Sequence, residues 1–148
     1  MSYPRIAEAL SEESIQISAV ALDREHAVEL AGQLLVNGGR VTPEYREQMV
    51  EVLSTHGPYF VIAPGIALAH AAPSEQVLQT GLSLLTLAEP IVFGHESNDP
   101  VELVIGMCAI DHDGHLDMLR ELSEILSNEQ IVNTLLNASD SEQIRSIL

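Results

Sequence analysis

His70 and His115 are the residues of this 148-residue chain best placed to do chemistry. His70 closes the apolar run Tyr59-Phe-Val-Ile-Ala-Pro-Gly-Ile-Ala-Leu-Ala-His70 and is followed at once by Ala71, Ala72 and Pro73. Pro64 and Gly65 break what otherwise reads as one buried strand, so the histidine arrives at the end of a second short strand with no bulky neighbour over it. An imidazole placed there is open to a partner protein and titrates near neutrality, which makes it a candidate nucleophile rather than a core residue. His115 follows a second apolar run, Val101 to Ile110, inside Asp111-His-Asp-Gly-His-Leu-Asp117. It therefore stands at a helix start just past a strand end, where layered α/β sheets bind ligands and free backbone N–H groups favour an anion. An imidazole at that spot can donate to a phosphoryl oxygen, while Asp111, Asp113 and Asp117 repel an anion and favour a charged imidazole. Two other readings of this segment stay open. Asp111, His112, Asp113 and His115 are competent ligands for a divalent metal, although their spacing matches neither HExxH nor an EF-hand. The segment also reads as a plain helix-capping turn.

The other histidines carry less. His26 lies in the first turn of a helix and His56 at a helix end, and both read as surface residues. His95 sits in Gly94-His-Glu-Ser-Asn-Asp-Pro100, a polar turn between strands, as a turn or a site residue. Cys108 is embedded in an apolar run and reads as a core thiol; as the only cysteine it leaves no internal disulfide. No Gly-x-Ser-x-Gly elbow is present.

Charge narrows the classes of partner. Asp and Glu number 22 against six basic residues, all arginine, for a formal net charge of −16. Such a surface repels phosphate backbones and anionic headgroups, which argues against nucleic-acid and membrane-surface roles, and it can steer a basic protein partner. The absence of lysine excludes Schiff-base chemistry and a P-loop. The start lacks the order of a signal peptide and no apolar stretch nears the roughly 18 residues of a membrane span, so a soluble cytoplasmic protein is expected.

Periodicity and capping residues define the elements around the histidines. The first ten residues predict a short helix and 14–20 a strand. From Asp23 the apolar positions Ala27, Leu30, Ala31, Leu34 and Leu35 predict a helix ended by Asn37-Gly38-Gly39. Thr42-Pro43 restarts one carrying Tyr45, Met49, Val52 and Leu53. Short strands are expected at 59–63 and 65–69, then a possible helical turn at 74–77, and further strands at 81–87, 91–93 and 101–110, the last covered on both faces. A helix over 114–126 buries Met118, Leu119, Leu122, Ile125 and Leu126, and Asn128 and Asp140 cap two final helices. Helices before, between and after the strands predict a sheet between helical layers, of mixed direction because some connections are too short for a parallel crossover.

Taken together these residues resemble the enzyme IIA components of the bacterial sugar phosphotransferase system, of the mannitol/fructose type (type 2) and nearest its ascorbate branch. The resemblance runs nearly the whole length, densest from Gly57-Pro-Tyr-Phe-Val through His70, across Thr80-Gly-Leu-Ser-Leu-Leu-Thr-Leu-Ala-Glu-Pro90 to His95-Glu-Ser-Asn-Asp-Pro-Val101, and returns at His115. It implies an α+β, three-layer α/β/α fold around a small mixed sheet, with 1–148 as one domain. It implies a phosphotransferase: His70 accepts a phosphoryl group from the phosphohistidine of the carrier protein HPr and passes it to a cysteine of the cognate IIB component, for uptake of an ascorbate-like or other sugar by the membrane IIC component. His115 falls where the family has a second active-site histidine that contacts the phosphoryl group. Gly65 falls in the turn of the family's Gly-x-Ala-x-Pro-His stretch, and Asn98-Asp99-Pro100 matches a turn of the ascorbate branch, which makes Gly65, His95 and Asp99 supporting candidates. No metal or other cofactor is implied. The alternatives are a regulatory module phosphorylated on His70 without a transporter, and a metal-dependent enzyme built on Asp111 to His115. The chain departs from the family where Ala69-His70-Ala71 replaces Pro-His-Gly, where Ala71-Ala72 replaces the Gly-Arg of ascorbate-type relatives, and near Val52, where mannitol relatives have an arginine.

Overall fold

A computed structural model describes residues 3–148. Five strands form one mixed sheet in the order β1-β4-β5-β3-β2: β1 (Ile15–Ala19), β2 (Val61–Ala63), β3 (Ile66–His70), β4 (Gly81–Ile91) and β5 (Val101–Cys108). β1 runs parallel to β4, and β3 parallel to β5, while the β4–β5 and β2–β3 pairs are antiparallel. Among the described residues the helices are α1 (Pro4–Ala9), α2 (Arg24–Asn37), α3 (Pro43–His56), α4 (His112–Leu126), α5 (Glu129–Asn137) and α6 (Ser141–Arg145).

The sheet has a helical layer on each face, and the period-two alternation of its strands divides the core in two. Ala67 and Ala69 of β3 with Val104 of β5 pack with Ala27, Ala31, Tyr45, Met49 and Leu53 of α2 and α3. Ile66 and Leu68 of β3 with Leu103, Ile105 and Met107 of β5 pack with Ile6 of α1, Met118, Leu122 and Ile125 of α4, Leu135 of α5 and Ile144 of α6. β5 is thus covered on both faces, as its unbroken apolar run predicts. Small residues let α2 sit close: a Cβ added to Gly106 would lie 2.3 Å from Ser83 Oγ and 3.2 Å from the Ala31 carbonyl oxygen. Three expected caps form, with Asp23 accepting from His26 N–H, Asn128 from Gln130 and Ile131, and Asp140 from Gln143, whereas Thr42 at the start of α3 makes no side-chain cap and its hydroxyl donates to Gln76 instead.

Four boundaries differ from the sequence expectation. The strands expected at 81–87 and 91–93 are one strand, because Pro90 falls in an exposed bulge between the Thr86–Leu103 and Ile91–Val101 pairs, where no ladder N–H is needed. Segment 74–77 is a hydrogen-bonded turn, Val77 N–H to Ser74 C=O at 3.1 Å, rather than helix, and it is held by a bridge from Val77 to Val41. Tyr59 and Phe60 belong to a 3₁₀ turn, Gly57–Phe60, ahead of β2. β5 stops at Cys108 and α4 begins two residues earlier than expected, with Asp111 accepting from Gly114 N–H at 2.8 Å. His115 is therefore within the first turn of α4.

Candidate active site

The Pro64-Gly65 turn reverses the chain from β2 into β3, with Gly65 at φ 75°, and β3 carries His70 to its last position opposite Met107 of β5. Ile66 and Leu68 face the α4 layer, so His70, in phase with them, faces it too. α4 begins just past the end of β5, at the same end of the sheet. The two chain segments converge: the His70 and His115 rings lie 6.5 Å apart, centroid to centroid. His70 is half-buried, not sealed in the core. Its Nδ1 lies 3.0 Å from the Leu68 carbonyl oxygen, and since that oxygen can only accept, Nδ1 carries the proton of the neutral ring. Nε2 is left with its lone pair. Phe60 packs at 5.3 Å from the His70 ring, tilted by 44°, and limits its swing.

His112 extends the cluster, its ring 6.5 Å from that of His115 and within 13° of parallel. Burial, then His70, then His112 hold the His115 pKa below the ordinary 6.5, so the ring is neutral in the resting protein at pH 7 and still has one N–H to donate. By NMR, the His115 ring protons are expected to titrate below that ordinary value and to move upward in His70→Ala, where one of the opposing neighbours is gone. A titration at or above 6.5 in the unsubstituted protein contradicts this placement.

The remaining candidates are elsewhere. Gly65 donates to Asn98 C=O and accepts from Glu102 and Leu103 N–H, just before β3, about 16 Å from His70 by strand rise. The β4–β5 loop lies at that same far end. There the Asp99 carboxylate accepts from Phe93, Gly94 and His95 N–H at 3.0, 2.7 and 2.8 Å, and His95 Nδ1 accepts from Ser97 and Asn98 N–H. The structure thus gives Gly65, His95 and Asp99 work in a turn and a loop, not beside His70. Asp99→Ala is expected to cost about 1–3 kcal/mol of stability, seen as a lower midpoint in urea, because three amides lose a charged acceptor. The chemistry at His70 should be unchanged in the folded variant; a loss of it would tie the loop to the site.

Cys108 is buried, its thiol directed at the Gln79 and Gly81 carbonyls, and burial pushes its pKa up to about 12, so it is a core thiol. The metal reading lacks a cage: among the described residues no group of three or more His, Cys, Asp or Glu side chains is placed to hold an ion. Asp111 is engaged in its cap and Asp117 pairs with Arg5 at 3.3 Å. His56 is exposed and stacks on Tyr59.

Sequence reading missed two features of the site. One is the Leu68 carbonyl, which no side-chain pattern announces. The other is Tyr45, fully buried on α3, whose hydroxyl bonds to Ala71 and Met107. A phenol on an otherwise apolar inward stripe was the available signal, since a buried hydroxyl needs a partner.

This fold is shared with known proteins. Residues 8–148 match the family model for the phosphoenolpyruvate-dependent sugar phosphotransferase system, EIIA 2. The ascorbate-specific PTS system EIIA component of Salmonella typhimurium is 36% identical over 143 residues, covering 96% of this chain and 88% of that protein. The solution structure of the mannitol-specific cryptic phosphotransferase enzyme IIA from Escherichia coli superposes with a TM-score of 0.85 at 32% identity, covering 97% of each chain. The Escherichia coli mannitol enzyme IIA in complex with phosphorylated enzyme IIB superposes at 0.81 with 27% identity, over 93% of this chain and 94% of that one. The chain belongs to the EIIA 2 family of the sugar phosphotransferase system.

Proposed function

We propose that this protein is a cytoplasmic phosphocarrier whose single domain accepts a phosphoryl group on His70 Nε2 from the phosphohistidine of HPr and passes it to a cysteine of the cognate IIB component, for sugar uptake by IIC. The observation that carries this is the Nδ1–H to Leu68 C=O hydrogen bond at 3.0 Å, which leaves Nε2 as the free nucleophile of a half-buried histidine beside a second one. The names of the relatives favour an ascorbate-like sugar, and the mannitol relative found with phosphorylated IIB favours a IIB partner.

In the first step the Nε2 lone pair of His70 forms a bond to phosphorus as the P–N bond of HPr breaks, and the electron pair leaves on the HPr imidazole. The proton on His70 Nδ1 stays in place, shared with the Leu68 carbonyl. In the second step the IIB thiolate attacks phosphorus, the Nε2–P bond breaks, and His70 leaves as a neutral imidazole because Nδ1 already holds its proton. The transition state is loose and metaphosphate-like, so position and charge are most of what the protein supplies. His115 donates to an equatorial oxygen, and the arriving negative charge raises its pKa and favours its cationic form.

The grooves lined by Leu68 and α4 and by α3 with Ala71-Ala72-Pro73 contain no arginine, whereas the cleft lined by Thr80, Ile110 and Gly114, next to His115, holds Arg5 and Arg40. Arg24, Arg40 and Arg46 are bonded to Phe93 C=O, to Thr80 and Glu8 C=O, and to Gln33 respectively, while Arg5 and Arg120 pair with Asp117. Val52 and Ala72, where relatives were expected to carry arginine, both line the α3 groove. The groove along α4 is lined by Ile62, Leu68, Leu119, Leu122 and Leu126, an apolar surface on the same strand as His70 that suits transient docking of a protein. Incubation with enzyme I, HPr and phosphoenolpyruvate, followed by mass analysis, tests the reading. An acid-labile phosphoryl adduct on His70 supports it, and an unmodified protein overturns it.

A further inference from the structure

We infer that Tyr45 is a positioning residue for His70: its hydroxyl is wedged into the end of the β3–β5 ladder and sets where the strand, and with it the imidazole, departs from the sheet. This rests on the reading of His70 as the phosphoryl acceptor. β3 and β5 pair in parallel from Ile66–Leu103 to His70–Met107, and Leu103 N–H donates to Gly65 C=O. Followed along the ladder, that alternation calls for Ala71 N–H on Met107 C=O as the next bond. The Tyr45 hydroxyl stands in its place. It accepts from Ala71 N–H at 3.0 Å and lies 3.0 Å from the Met107 carbonyl oxygen and 2.9 Å from that of Ala71, sharing its one proton between them.

One oxygen atom therefore separates two strands that would otherwise close on each other, at the residue following His70 and the residue opposite it. Ile66 to Ala69 are all buried, and His70 is the first residue of β3 to reach solvent. The wedge comes from the far layer: Tyr45 is fully buried with Met49 and Leu53 on α3, under the face that carries Ala67 and Ala69. The small side chain at Ala69 fits there, and so does the strand end at Ala71 that the hydroxyl grips. Burial raises the phenol pKa far above neutrality, so the group keeps the proton it needs to act as donor and acceptor at once. The connection to chemistry runs through the backbone. The torsions of His70 fix both Ala71 and the direction of the side chain, and the ring must fold back to reach Leu68 C=O at 3.0 Å. If Ala71 shifts, that hydrogen bond loosens and the proton redistributes between Nδ1 and Nε2.

Tyr45→Phe keeps the ring and removes the wedge. Phosphorylation of the folded variant by HPr is expected to slow by about ten- to a hundredfold, the scale of small misplacements of reacting groups. The His70 ring nitrogens of the unphosphorylated variant should move, in nitrogen NMR, from a single Nδ1–H tautomer toward a mixture. Met49→Val, one turn along α3 and likewise buried, perturbs packing but not the hydroxyl, and should retain both the rate and the tautomer. If Tyr45→Phe does not fold, 3-fluorotyrosine at position 45, which keeps the shape and weakens the oxygen as an acceptor, should shift both readouts in the same direction. Unchanged nitrogen shifts and rate in Tyr45→Phe overturn the inference, as does an equal effect from Met49→Val. The nitrogen shifts need no phosphoryl donor, so they test the wedge even if unsubstituted protein takes no phosphoryl group, the result that would overturn the parent reading.

Discussion

His70→Ala is expected to abolish phosphorylation by HPr while leaving the fold intact. Among the histidines, His70 is the one whose Nδ1 faces a backbone carbonyl and leaves Nε2 free, while the Nδ1 of His26 and of His95 accept backbone N–H groups. Its loss removes the covalent step itself, so the yield of phosphoprotein should fall to background rather than slow by a factor. The ring lies half-buried at a strand end and makes one hydrogen bond within its own strand, so melting should change by no more than about 1–2 kcal/mol equivalent. The check is radiolabel or mass yield beside a thermal melt. Undiminished phosphoprotein from a folded variant would move the acceptor elsewhere.

His115→Ala is expected to lower the single-turnover rate of onward transfer to IIB by about 10–100-fold, or about 1.4–2.8 kcal/mol of transition-state stabilisation, with the fold retained. The ring is 6.5 Å from His70 at the start of α4, where it can reach an equatorial oxygen but not the line of attack. The His115 imidazole packs against the His70 ring, so it is placed to become cationic as the phosphoryl charge arrives. Equal rates in stopped-flow or quenched turnover would remove His115 from the chemistry. His115→Gln, which keeps one N–H donor but cannot take the second proton, should fall between the two.

Much of this arrangement is written in local patterns. The kink at Pro64-Gly65, the alternation of β3, the both-faces burial of β5 and the cap at Asp111 each follow from residue types a few positions apart, and together they bring two histidines, His70 and His115, from well separated parts of the sequence to one end of a sheet. Sequence also marked Asn98-Asp99-Pro100 as a turn, and the Asp99 carboxylate does tie that loop together. What sequence did not show was which end of the strands the loop occupies. That depends on register: Gly65 meets Glu102 while His70 meets Met107, so family motifs that neighbour one another in the chain separate along β3 and β5. Pro90 misled for a related reason, since it marks a strand end only where the ladder needs its N–H, and the bulge between Thr86 and Ile91 removes that need. The Leu68 carbonyl and the Tyr45 hydroxyl escaped notice because each acts through backbone atoms brought together only in the folded chain.

The charge of the chain fits the same picture. With a net charge of −16 and no lysine, the surface can draw a basic protein toward the apolar groove along α4, and that attraction should weaken as salt screens it. In the proposed function His70 is the nucleophile, and the neighbouring His115 imidazole answers the charge it receives.

Heteronuclear nitrogen–phosphorus NMR of the phosphoprotein tests this most directly. Coupling from phosphorus to Nε2 of His70, with Nδ1 still protonated, is the predicted result. Coupling to Nδ1, or to a nitrogen of any other histidine, would contradict it.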